Sequence, residues 1–318
     1  MDISNRFDLL AVGNVAIERV YKINQIPSID GTGLILSEKT YLGGRAGNIA
    51  LTVSALGLSV AVAALVGADF EESGFIEFLV KNHVDISRIQ IDSETRSPQS
   101  VIFYTEKGKI LRFFEPIHSS LITLDLPKAD FENCHILYIT AFNGEEPIRK
   151  IVETSKDAVA TVVLAIGEEV NRKNAEYLLN LLAFGNYLFL NQIELEILLN
   201  KIGLSTVQSL LDKNRQLESI AVTRGNAGSI LYSRRAIFKI PAVPPTRIVN
   251  TLGAGDAYVA GFIYGLRKGF ELEKCGKIAA VSSSFVLETE NAQPLDLTAQ
   301  ALKRRYGATF LQDDDALF

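Results

Sequence analysis

An aspartate, Asp256, follows Gly253-Ala254-Gly255 at the head of an apolar stretch, Ala257 to Leu266, with helical character. A β-type run precedes the glycines, so Asn250-Thr251-Leu252-Gly253-Ala254-Gly255-Asp256 reads as a small-residue loop opening into a helix N-terminus. Backbone N–H groups converge in such a turn and the helix dipole adds partial positive charge, which suits an anion. Asp256 sets a carboxylate in the first turn beside that anion, where it can accept a proton from a hydroxyl attacking phosphorus. An N-capping aspartate after a glycine turn is the plain structural alternative.

Other residues invite the same question. Gly43 and Gly44 let backbone approach a ligand closely, and the Asn48 amide that follows can address sugar hydroxyls. Glu18 lies past the end of the first strand, where α/β proteins bind ligands, and its carboxylate can accept two hydroxyls. Asn191-Gln192-Ile193-Glu194 is an N-cap with a capping-box glutamate three residues on. Thr223-Arg224-Gly225-Asn226-Ala227-Gly228 is compatible with a strand-to-strand turn. No Gly-x-x-x-x-Gly-Lys-[Ser/Thr] occurs, and Tyr258 stands where a dinucleotide fingerprint would continue with glycine. A P-loop is therefore excluded, and a nicotinamide oxidoreductase is poorly supported.

The segment Asn250 to Phe262 closely resembles the C-terminal signature of the PfkB (ribokinase-like) carbohydrate kinases, Asp-Thr-x-Gly-Ala-Gly-Asp-x-Phe. Upstream, Gly43-Gly44-Arg45-Ala46-Gly47-Asn48 resembles the N-terminal Gly-Gly-x-x-x-Asn motif of that family. The resemblance runs from about residue 8 to residue 295. It implies ATP-dependent phosphorylation of a hydroxymethyl group on a sugar or nucleoside. Asp256 would be the base, with Gly253, Ala254 and Gly255 as the anion hole. Glu18, where the family usually has Asp, would hold acceptor hydroxyls with Gly43, Gly44 and Asn48. Asn191, Thr223, Gly225 and Gly228 would face ATP, and Glu194 would hold the water shell of Mg²⁺. Ser282–Gln293 would lie on the adenine side. Asn250 replaces an aspartate and Asn291 a common glycine, which weakens the case for a monovalent cation. A catalytically silent sugar- or nucleotide-binding regulator of the same fold is the alternative.

The elements that must position these groups follow from periodicity. Leu9–Val12, Val60–Val66, Ile136–Ile139, Ala158–Ala165, Tyr187–Leu190 and Ser219–Thr223 read as buried strands. Phe75–Asn82, Pro147–Ser155, Lys173–Ala183, Glu194–Asn200 and Val207–Asn214 read as the helices between them. The alternation predicts a mostly parallel sheet with helices on both faces. Val15–Tyr41 and a hairpin over Ser100–Glu115, turning at Lys107-Gly108, break the rhythm and suggest a small β lid inserted in a single domain over 1–318. The resemblance implies that such a lid often dimerises. The lid aromatics Phe103, Tyr104, Phe113 and Phe114 suit stacking on a base or serving as lid or dimer core.

The chain has 318 residues, 47% hydrophobic and 22% charged, enough for a large core. A net charge of −5 without a basic block argues against a nucleic-acid surface. Cys134 and Cys275 are too few for a disulfide framework, and no signal peptide is read, so the expected compartment is the cytoplasm. The uncharged run Ala50–Ala68 is long enough for a membrane span, but Gly57 and Ser59 divide it into a helix, a glycine C-cap and a strand.

Overall fold

The computed structural model describes residues 6–106, 110–117, 124–140, 146–158, 161–167, 169–290, 292–294 and 296–310. Two sheets dominate it. The larger has nine strands in the order β13-β12-β11-β10-β9-β8-β1-β4-β5. Its parallel part comprises β1 (Phe7–Val12), β4 (Val60–Gly67), β5 (Val84–Asp92), β8 (Cys134–Thr140), β9 (Thr161–Ala165), β10 (Tyr187–Asn191) and β11 (Ser219–Thr223). β12 (Ser229–Ser233) and β13 (Ile237–Ile240) close one edge antiparallel.

Both faces of this sheet are covered, so the middles of its central strands, such as Leu9–Val12 and Val162–Ala165, are continuous apolar runs. Leu9 and Ala11 of β1 point into one core, whereas Leu10 and Val12 point into the other. The predicted helix, glycine and strand across 46–66 are present as α1 (Arg45–Ala55), Gly57 at φ 83° and β4. Among the described residues, no helix is long and apolar enough to cross a membrane.

Chain order sets the site. From β1 the chain builds outward through β4 and β5, then returns to place β8 on the other side of β1. β1 and β8 therefore flank the point where the winding reverses, and the crevice beyond their carboxyl ends is where open α/β sheets bind ligands. Helix α10 (Ala254–Arg267) packs alongside α1 and aims its N-terminus at that crevice. Its fixed position depends on close packing against α11 (Leu272–Val286). A Cβ on Gly261 would lie 2.6 Å from the Ser282 Cβ, and one on Gly265 2.9 Å from the Cys275 sulfur.

The smaller sheet, in the order β3-β2-β6-β7, forms the lid. It consists of β2 (Ala16–Ile23), β3 (Ile35–Gly43), β6 (Gln99–Thr105) and β7 (Ile110–Glu115). The expected hairpin is present, with Phe103 opposite Leu111 and Val101 opposite Phe113. Its turn at Lys107-Gly108 lies outside the described residues, as do Asn291 and residues 159 and 160 of the predicted strand Ala158–Ala165.

Candidate active site

A cavity of about 380 Å³ opens between the lid and the β1/β8 crevice. Asn14 enters it just past β1, Thr140 from the end of β8, and Glu18, Ser100 and Phe114 from the lid. Gly253, Gly255 and Asp256 close it from the start of α10, and Gly44 and Asn48 from the start of α1.

The loop before α10 has the geometry its composition predicts. Gly253 is the N-cap at φ 76°, and a Cβ there would lie 2.0 Å from the Ala292 carbonyl oxygen, so glycine is required. No side chain caps this helix. The Ala254 N–H turns back to the Thr251 carbonyl at 3.4 Å, and the next N–H groups, of Gly255 and Asp256, are the ones set toward a ligand at the positive end of the dipole. By contrast, the helix starting at Gln192 (α8, Gln192–Lys201) has a full capping box. The Asn191 side chain accepts from the Glu194 N–H, and Glu194 Oε2 accepts from the Asn191 N–H, both at 2.9 Å.

Asp256 opens into the cavity and is enclosed by protein on its other sides. Burial raises its carboxyl above the usual aspartate range; Arg45, the Asn48 hydrogen bond and Arg112 pull the other way. Asn48 Nδ2 donates to Asp256 Oδ2 at 2.8 Å. Asn48 lines the cavity as expected, yet its amide is occupied at both ends, because Oδ1 accepts from Gln293 Nε2 at 2.6 Å.

Glu18 is only 5% exposed. Burial raises its carboxyl, Arg112 opposes the shift, Asp256 reinforces it, and the Gly44 N–H hydrogen-bonds the carboxylate. The two glycines before α1 therefore have separate uses. Gly44 at φ 85° makes the turn that presents its N–H. Gly43 makes room for Glu18 itself, since a Cβ there would lie 2.4 Å from the Glu18 carboxyl carbon. Gly43 thus accommodates the longer acidic side chain and is not among the residues lining the cavity.

Sequence reasoning passed over several groups that reach this space. Arg45, inside the Gly-Gly motif, lines the cavity with its guanidinium 3.9 Å from Glu194 Oε1. Gly167 at φ 59° leaves space for it, because a Cβ there would strike Arg45 Nη1 at 2.2 Å. Arg112 comes from β7, and Glu169 and Arg172 from the short helix after β9. The cavity thus sets three arginines against three carboxylates.

Asn191, Glu194, Thr223, Gly225 and Gly228 do not line the cavity. They lie beyond β10 and β11, at the same carboxyl edge of the sheet. Thr223 to Gly228 is a connection between antiparallel β11 and β12, tightened by a 3-10 turn over Gly225–Ala227. Glycine is needed at Gly228, where a Cβ would lie 2.1 Å from the Ile240 carbonyl oxygen.

The two cations implied by the resemblance fare differently. Among the described residues no group of three or more His, Cys, Asp or Glu can hold a metal. Magnesium brought on nucleotide phosphates needs only an outer-sphere carboxylate, and Glu194, with Oε1 turned toward Arg45, suits that. Position 250 carries an amide in place of the usual aspartate. Asn250 Nδ2 donates to the carbonyls of Thr289 at 2.8 Å and Glu290 at 2.7 Å, and its Oδ1 accepts from the Leu252 N–H at 2.7 Å. The amide itself thus ties these two carbonyls to the loop before α10.

The chain as a whole has relatives among known proteins. The nucleoside kinase of Methanocaldococcus jannaschii is 28% identical over 287 residues, covering 90% of this chain and 92% of that protein. The nucleoside kinase of Methanothermobacter thermautotrophicus is 27% identical over 299 residues, 93% and 95% of the two chains. The crystal structure of the M. jannaschii enzyme, an archaeal member of the ribokinase family, matches with a TM-score of 0.83 at 25% identity, covering 96% of this chain and all of that one. Burkholderia thailandensis nucleoside kinase in complex with inosine shares the fold at a TM-score of 0.82 and 18% identity, with 95% and 98% of the chains covered. Residues 7–299, which hold the crevice, the lid and the helix carrying Asp256, match the pfkB carbohydrate kinases throughout, and the chain belongs to that family.

Proposed function

We propose that this phosphotransferase moves the γ-phosphoryl group of ATP to the hydroxymethyl group of a nucleoside, with Asp256 as general base. The observation that carries this is the meeting of three features in one cavity: an uncapped glycine-rich helix start, a carboxylate in its first turn, and a buried lid carboxylate facing both. The chain acts on an alcohol group of a sugar or nucleoside, as its family and its nucleoside kinase relatives indicate. The narrower choice of a nucleoside rests on those relatives and on Phe114, an aromatic wall on the acceptor side of the cavity.

Glu18 accepts hydroxyl hydrogen bonds from the acceptor and fixes its orientation. Asp256, held at Oδ2 by Asn48, takes the hydroxyl proton on Oδ1 as that oxygen attacks phosphorus. The N–H groups at the start of α10 and the Arg45 guanidinium stabilise charge on the transferring group, and ADP departs. The nucleotide lies toward Asn191, Thr223 and the Gly225–Gly228 turn, on the sheet edge beside Arg45. Glu194 would hold the water shell of a magnesium ion, which would supply charge neutralisation for the phosphates. No step uses a monovalent cation. The lid excludes water from the transfer. A cytoplasmic homodimer joined through the lids is the assembly we propose; the exposed apolar outer face of the lid supports the second part. No observation favours the silent regulator.

The test is phosphoryl transfer from ATP to a panel of nucleosides and free sugars. Asp256→Asn should lower kcat by a factor of roughly 10² to 10⁴ with the ATP KM little changed, the range for loss of a positioned base. Near-normal turnover by Asp256→Asn refutes the base. Turnover of free sugars but no nucleoside refutes the acceptor class.

A further inference from the structure

Gln293 is 2% exposed and lies in none of the chemistry above, yet it touches two parts of the machinery at once. Its Nε2 donates both to the Leu42 carbonyl, on the lid strand β3, and to Asn48 Oδ1. An amide nitrogen has two hydrogens, so this group is fully committed. The Leu42 carbonyl can only accept, which fixes which end of Gln293 is nitrogen. Gln293 can then offer only a donor to Asn48, so the Asn48 oxygen must turn toward it. The Asn48 nitrogen is left facing Asp256 Oδ2, which it meets at 2.8 Å. Asn48 is 3% exposed, so no bulk water replaces either partner.

We propose that Gln293 is a positioning residue for catalysis, which reads the lid strand at Leu42 and through Asn48 sets the orientation and ionisation of Asp256. The inference rests on Asp256 being the base. Each amide has one allowed orientation, imposed by its neighbour, and the polarity ends on an Asp256 oxygen, to which Asn48 donates more strongly when the carboxylate is ionised. A lid displaced at Leu42 releases Gln293, which frees Asn48 to rotate and withdraws the donor from Asp256. The base is thus best poised when the lid strand is seated, through a chain that starts at a backbone carbonyl of the lid. Asn48 then acts on the base as well as bordering the acceptor.

Two substitutions of similar size separate this relay from simple packing. Gln293→Leu removes the donor; kcat should fall about tenfold, part of the factor a positioned base supplies. The acid limb of the kcat profile should move to higher pH, because the ionised form of Asp256 loses a hydrogen bond. The acceptor KM should change little. Gln293→Glu keeps the shape but presents oxygen, which turns the Asn48 nitrogen toward residue 293 and its oxygen toward the Asp256 carboxylate. Its loss of kcat should exceed that of Gln293→Leu, and its acid limb should move further. Melting temperatures, followed in parallel, report packing. If both variants lose only melting temperature and keep the wild-type kcat and acid limb, or if Leu harms kcat more than Glu, the relay is wrong. Asp256→Asn is assayed alongside: normal turnover there brings down the base and the relay together, whereas an inactive Asp256→Asn with unaltered Gln293 variants brings down the relay alone.

Discussion

Glu18, proposed to hold the acceptor, illustrates what a buried carboxylate costs when water is removed from it. Burial raises its pKa, and Asp256 across the cavity adds like charge; Arg112 and the Gly44 N–H offset only part of this. The folded state thus favours the protonated acid more than the unfolded chain does. Such a group supports stability fully below its ordinary value of 4.5, and that support is lost as pH rises through the raised folded-state value. Above that window the ionised side chain is a net burden. Glu18→Gln keeps the shape without the charge, so its melting temperature should exceed that of the wild type by about 2 °C or more at pH 8, with the difference vanishing below pH 4.5. The same variant should raise the acceptor KM far more than the ATP KM, since an amide accepts through one oxygen only. Thermal melts at the two pH values, with both KM values, check this. A variant less stable than wild type at pH 8 contradicts the assignment of Glu18 as a strained binding group. Asp256, the proposed base, is likewise raised by burial, as expected of a group whose proposed function opposes stability.

At the scale of elements, the start of α10 is set by two loops held together through Asn250. Its amide ties the carbonyls of Thr289 and Glu290 to the Leu252 N–H, one residue before the Gly253 N-cap. Leu287 adds a backbone tie by accepting from the Val249 N–H at 2.7 Å. A carboxylate at position 250 would set negative charge against two carbonyl oxygens, and a cation would be needed to hold them. Turnover of the wild type should therefore be independent of potassium at fixed ionic strength, whereas Asn250→Asp should acquire a potassium requirement. A rate rise of about tenfold on adding potassium to the wild type, roughly 1.4 kcal/mol of barrier, contradicts this account. The replacement of Asp by Asn was visible in the sequence; the three bonds that give it meaning were not, because they join segments whose approach only the fold defines. Legibility divided in the same way elsewhere. The β1, β4, β8, β10 and β11 runs were legible because strands buried on both faces are apolar throughout. β5 was missed: its sequence Val-Asp-Ile-Ser-Arg-Ile-Gln-Ile-Asp is a half-exposed edge strand without a continuous apolar run. The turn into β12 was legible at Thr223–Gly228, but the short edge strand β13, Ile-Phe-Lys-Ile, was missed for the same reason. Asp256 and Gly44 were legible because each is tied to a local turn, and Glu18 because it follows closely on the end of the first strand. Gln293, Arg112 and Glu169 reach the site from distant elements, and no local spacing marks them. The four lid aromatics became separable only once the register was known.

That register divides the lid into two surfaces with different prospects for the whole molecule. Glu18, Ser100 and Phe114 share a cross-strand row facing the cavity. Tyr104, on the same face, borders a second cavity beside Lys39 and Asn250. On the opposite face Tyr21 stacks on Phe103 with ring centroids 5.3 Å apart, and Phe103 meets Phe113 edge to face at 6.4 Å. Phe113 is 56% exposed there, and Leu36 and Leu111 are also exposed. A four-stranded sheet that gives one face to an acceptor cavity and leaves an aromatic cluster on the other has an apolar patch suited to self-association. Two lids packed by these outer faces would stiffen each other, and through β3 would seat the Leu42 carbonyl on which Gln293 depends. Phe113→Glu should therefore convert a dimer to a monomer at micromolar concentrations, measured by sedimentation equilibrium. Because Phe113 is largely exposed within one protomer, the circular dichroism spectrum should stay unchanged. The monomer should also lose kcat along with acceptor affinity, since a loosened lid withdraws the donor chain to Asp256. A wild-type protein that sediments as a monomer, or a Phe113→Glu variant that remains a dimer, rules out this face as the interface. A monomeric variant with undiminished kcat shows that lid pairing is separate from the poise of the base.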